Sequence, residues 1–103
     1  MKKIYLIQQN NTNLYKIGIT KKDINERIKE LQTGNANQLV TIHEFATKFG
    51  YKLERAIHCY FNSKKFSSEW FELSNEDINN FLNICSNLEN NLKVLKQYDN
   101  PFL

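Results

Sequence analysis

Apolar positions along this chain recur with two different periods, one suited to strands and one to helices. Ile4, Tyr5, Leu6 and Ile7 form a β-branched and aromatic run directly after two lysines, and residues 4–9 predict a strand. Asn10 to Asn13 is polar and turn-prone. Leu14–Thr20 predicts a second strand, near enough in sequence to pair with the first as an antiparallel hairpin. Gly18 inside that strand marks a bulge or a close backbone approach. Asp23 is a helix cap with Glu26 three positions on. Ile24, Ile28 and Leu31 then give one apolar helical face that ends at Gly34.

Residues 39–46 alternate enough for a third strand. Residues 51–62 predict a second helix with Leu53, Ala56, Ile57, Tyr60 and Phe61 inward. Residues 64–68 read as a polar, basic loop, and Trp70 to Leu73 as a short strand or an irregular wall. Ser74 opens the longest helix, with Asp77 near its positive end. Ile78, Phe81, Cys85, Leu88, Leu92 and Leu95 follow at alternating spacings of three and four. That narrow seam packs either on the rest of the domain or on a second copy of the chain. The expected fold is α+β, an α/β sandwich: a three-stranded antiparallel sheet flanked by helices, in the order ββαβα plus a C-terminal helix.

With 103 residues, the chain has room for one core. Three Gly and one Pro argue against a disordered chain. The formal net charge of +3 leans toward polyanions but is no arginine-rich arm. No leader or long apolar run is evident, so the expected setting is cytoplasmic, or nuclear by diffusion, without a membrane partner. Cys59 and Cys85 have no zinc spacing and read as two buried thiols.

Several residues in the hairpin and after it belong to one recognisable order. Tyr5 lies in the first strand, and Lys16-Ile17-Gly18-Ile19-Thr20 in the second. Arg27 falls in the first helix, Glu54 to His58 in the second, and Glu69-Trp70-Phe71 after it. This arrangement resembles the GIY-YIG nuclease superfamily, in particular its small stand-alone phage and viral branch with K-I-G-x-T and E-W-F motifs. The resemblance runs from about Lys3 to Leu73. It implies a nuclease core over residues 1–73 and a C-terminal helix over residues 74–103. Two positions depart from the wider family. Lys16 replaces the tyrosine of the second motif, and Leu31 stands where many relatives carry a histidine. Tyr15 is adjacent to Lys16, but a one-residue offset points it to the other face of the strand.

The resemblance implies a metal-dependent DNA endonuclease, and the residue types suit that chemistry. Tyr5 would present its hydroxyl to the attacking water. A tyrosine of ordinary pKa ~10 needs positive charge nearby to act as a base at neutral pH, and Lys16 would supply it. Arg27 offers a planar fork of donors for phosphate oxygens. Glu54 would ligate one Mg²⁺ or Mn²⁺. His58 either orients the site or is structural. Glu69 is either a second acidic group or a local cap. Lys3, Gly18, Thr20, Lys21, Lys22, Lys64 and Lys65 are the expected DNA contacts, with Lys2, Lys16 and Lys29 completing a basic rim of phosphate contacts. DNA is the expected partner, and a homodimer through the C-terminal helix is open. The rival expectation is a GIY-YIG-fold nucleic-acid-binding module with weak or no catalysis.

Overall fold

Strand β1 (Lys2–Gln9) is buried on both faces, and the rest of the molecule is arranged around it. It pairs antiparallel with β2 (Leu14–Thr20) in the register Tyr5 to Gly18 and Leu6 to Ile17. The turn between them uses Asn11 at φ 64°, a left-handed conformation that asparagine tolerates. Thr12 closes it by donating its hydroxyl to the Gln9 carbonyl at 2.6 Å. The computed structural model describes residues 1–97. The expected C-terminal helical segment is therefore seen as far as Gln97, and residues 98–103 lie outside the described residues.

On its other side β1 pairs with β3 (Leu39–Thr47), again antiparallel, with a register shift between Leu6 and Ile7. The sheet is larger than the sequence pattern predicts. Two three-residue strands, β4 (Lys65–Ser67) and β5 (Trp70–Glu72), extend it from β2, giving the order β3-β1-β2-β5-β4. The expected three strands are thus five, and the basic segment over residues 64–68 is mostly strand. Its three strand residues are all exposed, so no alternation of buried and open positions marks it in sequence.

The period-two geometry of β1 sorts its side chains between two cores. Ile4 and Leu6 join Tyr15, Ile17, Leu53, Ile57, Phe61, Phe71, Phe81 and Cys85 on one face. Tyr5 and Ile7 join Ile24 and Leu39 on the other, with Ile28 and Leu31 packed against them. Helix α1 (Ile24–Gln32) covers this second face and is capped by Asp23, whose carboxylate accepts the Asn25 N–H at 2.8 Å. Helices α2 (Tyr51–Tyr60) and α3 (Asn75–Gln97) cover the first face. The result is a small α+β fold with helices on both faces of an antiparallel sheet.

Helix α3 begins with a reciprocal cap between Ser74 and Asp77. Phe81 and Cys85 are fully buried, whereas Leu95 at the far end of the seam is exposed. His43, to which the sequence assigns no role, fastens the helix to β3. Its ring stacks on Phe81 at 5.9 Å, and its Nε2 donates to the Ile78 carbonyl at 3.0 Å. Two expectations fail nearby. Cys59 and Tyr60 both face solvent, because the buried side of α2 is the narrow line through Leu53, Ile57 and Phe61. Cys85 is the one buried thiol of the two, and burial pushes its pKa up to about 12.

The register opposite Tyr5 explains the glycine in β2. A methyl group on Gly18 would stand 2.9 Å from Tyr5 Cε1 and closer still to Cζ and the hydroxyl. The close approach is therefore between the Tyr5 ring and the neighbouring strand. Gly18→Ala is expected to cost about 1–3 kcal/mol by overpacking, measured by denaturant unfolding. In a Tyr5→Leu background the same change should cost much less, since the two sites couple. An equal cost in both backgrounds would show that the ring is not the obstacle.

Candidate active site

The cluster forms where β2 loses its outer partner. Strand β5 pairs with β2 only as far as Lys16 opposite Trp70, and Ile17 N–H then donates to the Glu69 carbonyl at 3.1 Å. Just beyond, α2 comes up to the strand. The Nε2–H of His58 donates to the Ile17 carbonyl at 2.8 Å, and the ring meets Phe71 edge-on at 5.0 Å. His58 thus docks α2 on β2. This sets where Glu54, one helical turn earlier, meets the strand.

On the α1 face Tyr5 is buried, with 1% of its surface exposed. Burial raises its pKa above the ordinary phenol value. Arg27 acts against that shift, while Glu69 and Glu54 add to it. Tyr5 is a neutral phenol at neutral pH, able to donate and accept a hydrogen bond. The charge that bears on it is the guanidinium of Arg27, where the sequence led us to expect Lys16. Arg27 is in turn held in its charged form chiefly by its interaction with the Tyr5 hydroxyl. Its side chain is two-thirds buried, and its Nη1 lies 3.2 Å from Glu30. Its Nε is buried with no hydrogen-bond partner among the described residues. A buried donor without an acceptor is costly, and an anionic ligand would satisfy it.

Lys16 is committed elsewhere. Its ammonium pairs with Glu69 at 2.6 Å and lies 5.6 Å from the Trp70 ring centroid. Glu69 is therefore an acidic group of the cluster whose charge Lys16 offsets. Glu54 has no ion-pair partner among the described residues. Burial raises its carboxyl pKa; His58 lowers it, Glu69 raises it and Lys16 lowers it again. Arg27 from α1 and Glu54 from α2 both bear on Tyr5 from β1, Glu69 bears on Tyr5 and on Glu54, and Lys16 and His58 bear on Glu54. No group of three or more His, Cys, Asp or Glu side chains that could hold a metal ion is present among the described residues. The donor set is open, with Glu54 unpaired and Glu69 paired.

The expected basic rim is only partly assembled. Lys2, Thr20, Lys21, Lys22 and Arg27 line one cavity of 220 Å³. Thr20 turns its hydroxyl inward to accept the Lys22 N–H at 3.0 Å. Lys3 pairs with Glu44 at 3.6 Å. Lys64 is drawn to Asp77 at the start of α3, at 2.6 Å, and Lys65 is on β4 at the far edge of the sheet. Sequence reasoning misses Glu30, which pairs with both Lys22 and Arg27. Its spacing of three from Arg27 is the signal that was available.

Residues 2–86 match the model of the family described as the T5orf172 domain, so the match extends past Leu73 into α3. No curated protein and no solved structure matches the chain.

Burial holds the Glu54 pKa in the folded state above its unfolded value. The stability tied to that group is then full below the unfolded pKa and lost as pH rises through the folded one. Glu54→Gln, neutral throughout, is expected to raise Tm relative to the wild type at about pH 7 and to bring little gain at about pH 4. Thermal unfolding at both pH values measures this. A variant no more stable than the wild type at the higher pH would remove the desolvation penalty.

Proposed function

The chain belongs to the T5orf172 domain family, and from that premise we propose that it is a metal-dependent endonuclease cutting DNA phosphodiesters through a GIY-YIG-type site. Family membership supports a nucleic-acid-directed role in the coarse sense. The specific reading is carried by one observation: the phenol of Tyr5 in β1 is acted on by both the guanidinium of Arg27 from α1 and the unpaired carboxyl of Glu54 from α2.

Hydrolysis of a phosphodiester adds water to phosphorus and breaks the bond to one sugar oxygen, which leaves and takes up a proton. In this reading Arg27 binds the non-bridging oxygens, where charge grows in the transition state. Its unpartnered Nε is a donor suited to that task. Tyr5, a neutral phenol, holds the attacking water by a hydrogen bond and is itself held by Arg27 and Gly18. His58 is a positioning residue, keeping α2 and hence Glu54 against the strand. Glu54 would hold one Mg²⁺ or Mn²⁺. A hard ion of this kind takes one or two carboxylates and keeps several waters, which fits an open donor set. When bound, the ion supplies Lewis acidity and stabilises the departing oxygen. Glu69 is the second acidic group available beside it.

The burial of Tyr5 favours a second reading, a nucleic-acid-binding module of the same fold with weak catalysis. A phenol with a raised pKa is a poor base without help from substrate or metal.

Incubation of supercoiled plasmid with Mg²⁺ or Mn²⁺ separates the two. The wild type is expected to nick or linearise it, and Glu54→Ala to have no activity while keeping its fold. Arg27→Ala should lower the rate by about two to three orders of magnitude, as for loss of a transition-state donor. Tyr5→Phe keeps the packing and should still slow the reaction. An active Glu54→Ala protein, or a wild type inert on both plain and branched DNA, would overturn the nuclease reading.

A further inference from the structure

Six of the fourteen Lys and Arg side chains sit in ion pairs among the described residues, and five of the other eight are gathered in one place. Lys3, Lys16, Lys22, Arg27, Lys64 and Lys93 each sit in an ion pair. Lys2, Lys21, Lys48, Lys52 and Arg55 pair with no carboxylate among the described residues, and all five line one groove of 610 Å³. No acidic side chain lines that groove. Its walls come from the start of β1, the end of β2, the turn after β3 and the first turns of α2. Gathering like charges without counter-charges is unfavourable, and a polyanion offsets it.

An aromatic ring lies within this group. Tyr51, the first residue of α2, is 58% exposed, and Lys2 Nζ stands 3.9 Å from its ring centroid. Gly50 beside it has φ 54°, and a methyl group there would come within 3.3 Å of Lys2 Cδ. The glycine thus provides both the turn into α2 and the room for Lys2. The groove shares Lys2, Lys21 and Tyr51 with the 220 Å³ cavity that Arg27 lines. Phosphate binding alone needs only cations. An exposed ring among uncompensated cations matches a nucleotide, whose phosphate takes the charge and whose base takes the ring.

Building on the nuclease reading, we propose that this groove holds the DNA strand on one side of the scissile phosphate, with an unpaired base stacked on Tyr51. Bases inside a duplex are stacked on one another and offer no free face, so the ring selects DNA with a gap, flap or branch beside the cut. The five cations hold the backbone of that strand without regard to sequence.

Binding is tested by fluorescence anisotropy in a Glu54→Gln background, with one labelled duplex and the same duplex carrying a short gap. Tyr51→Ala should weaken binding to gapped DNA about ten-fold and leave the intact duplex unchanged, while Tyr51→Trp keeps the preference. Lys48→Glu with Arg55→Glu should weaken binding to both and reduce the salt slope by about two. If Tyr51→Ala affects both DNAs equally, or neither, base stacking at Tyr51 is overturned. If the charge reversals leave affinity and salt slope unchanged, the groove itself is overturned. The two readings fail separately. A wild type that cuts DNA while the groove variants bind normally ends this proposal alone. Groove-dependent binding by a chain whose wild type never cuts ends the nuclease reading alone.

Discussion

A phenol ring lying across a glycine in the adjacent strand is the contact on which the geometry of the cluster depends. Because Gly18 has no side chain, the hydroxyl end of the Tyr5 ring fits over β2, where the guanidinium of Arg27 acts on it. Arg27 in turn is steadied by Glu30, which also takes Lys22. On the opposite face of the sheet, the edge that β5 leaves open lets His58 reach the Ile17 carbonyl and so fixes α2. Two helices on two faces are thereby referred to adjacent residues of β2, Ile17 and Gly18.

The cluster works against the stability of the fold. A buried guanidinium nitrogen without a partner and a desolvated carboxylate without a counter-ion each leave a polar group poorly satisfied. Such groups persist where binding a ligand compensates them, and functional sites are where this is commonly seen. The contrast with the rest of the molecule supports this reading. Asp77 is capped and paired, Thr47 donates to Glu89 at 2.7 Å, and His43 has both a stacking partner and a hydrogen bond. The unsatisfied chemistry gathers at the β2 edge, with the unpaired cations in the groove leading to it.

The hairpin, three helices and central strands were legible because long elements repeat their apolar period. The two short strands were not, since three exposed residues carry no period at all. Motif order named Tyr5, Arg27 and Glu54 from distant parts of the chain, and in the fold Arg27 and Glu54 both bear on Tyr5. It misled at Lys16. Sequence shows that a cation stands in β2, but which neighbour it pairs with depends on where β5 places Glu69. The basic groove was hidden for a related reason. Lys2, Lys21, Lys48, Lys52 and Arg55 come from four separate segments, none of which forms a charge run. Exposed Tyr51 reads in sequence as one more aromatic at the start of a helix.

The central claim is that Glu54 holds a catalytic metal beside Tyr5 and Arg27. Its most direct test is Mn²⁺ binding followed by electron paramagnetic resonance, with a short DNA duplex present, on the wild type and on Glu54→Gln. The account predicts one bound ion per wild-type chain and a large loss of binding in the variant. Equal binding by the two proteins, or no binding by either, would contradict it.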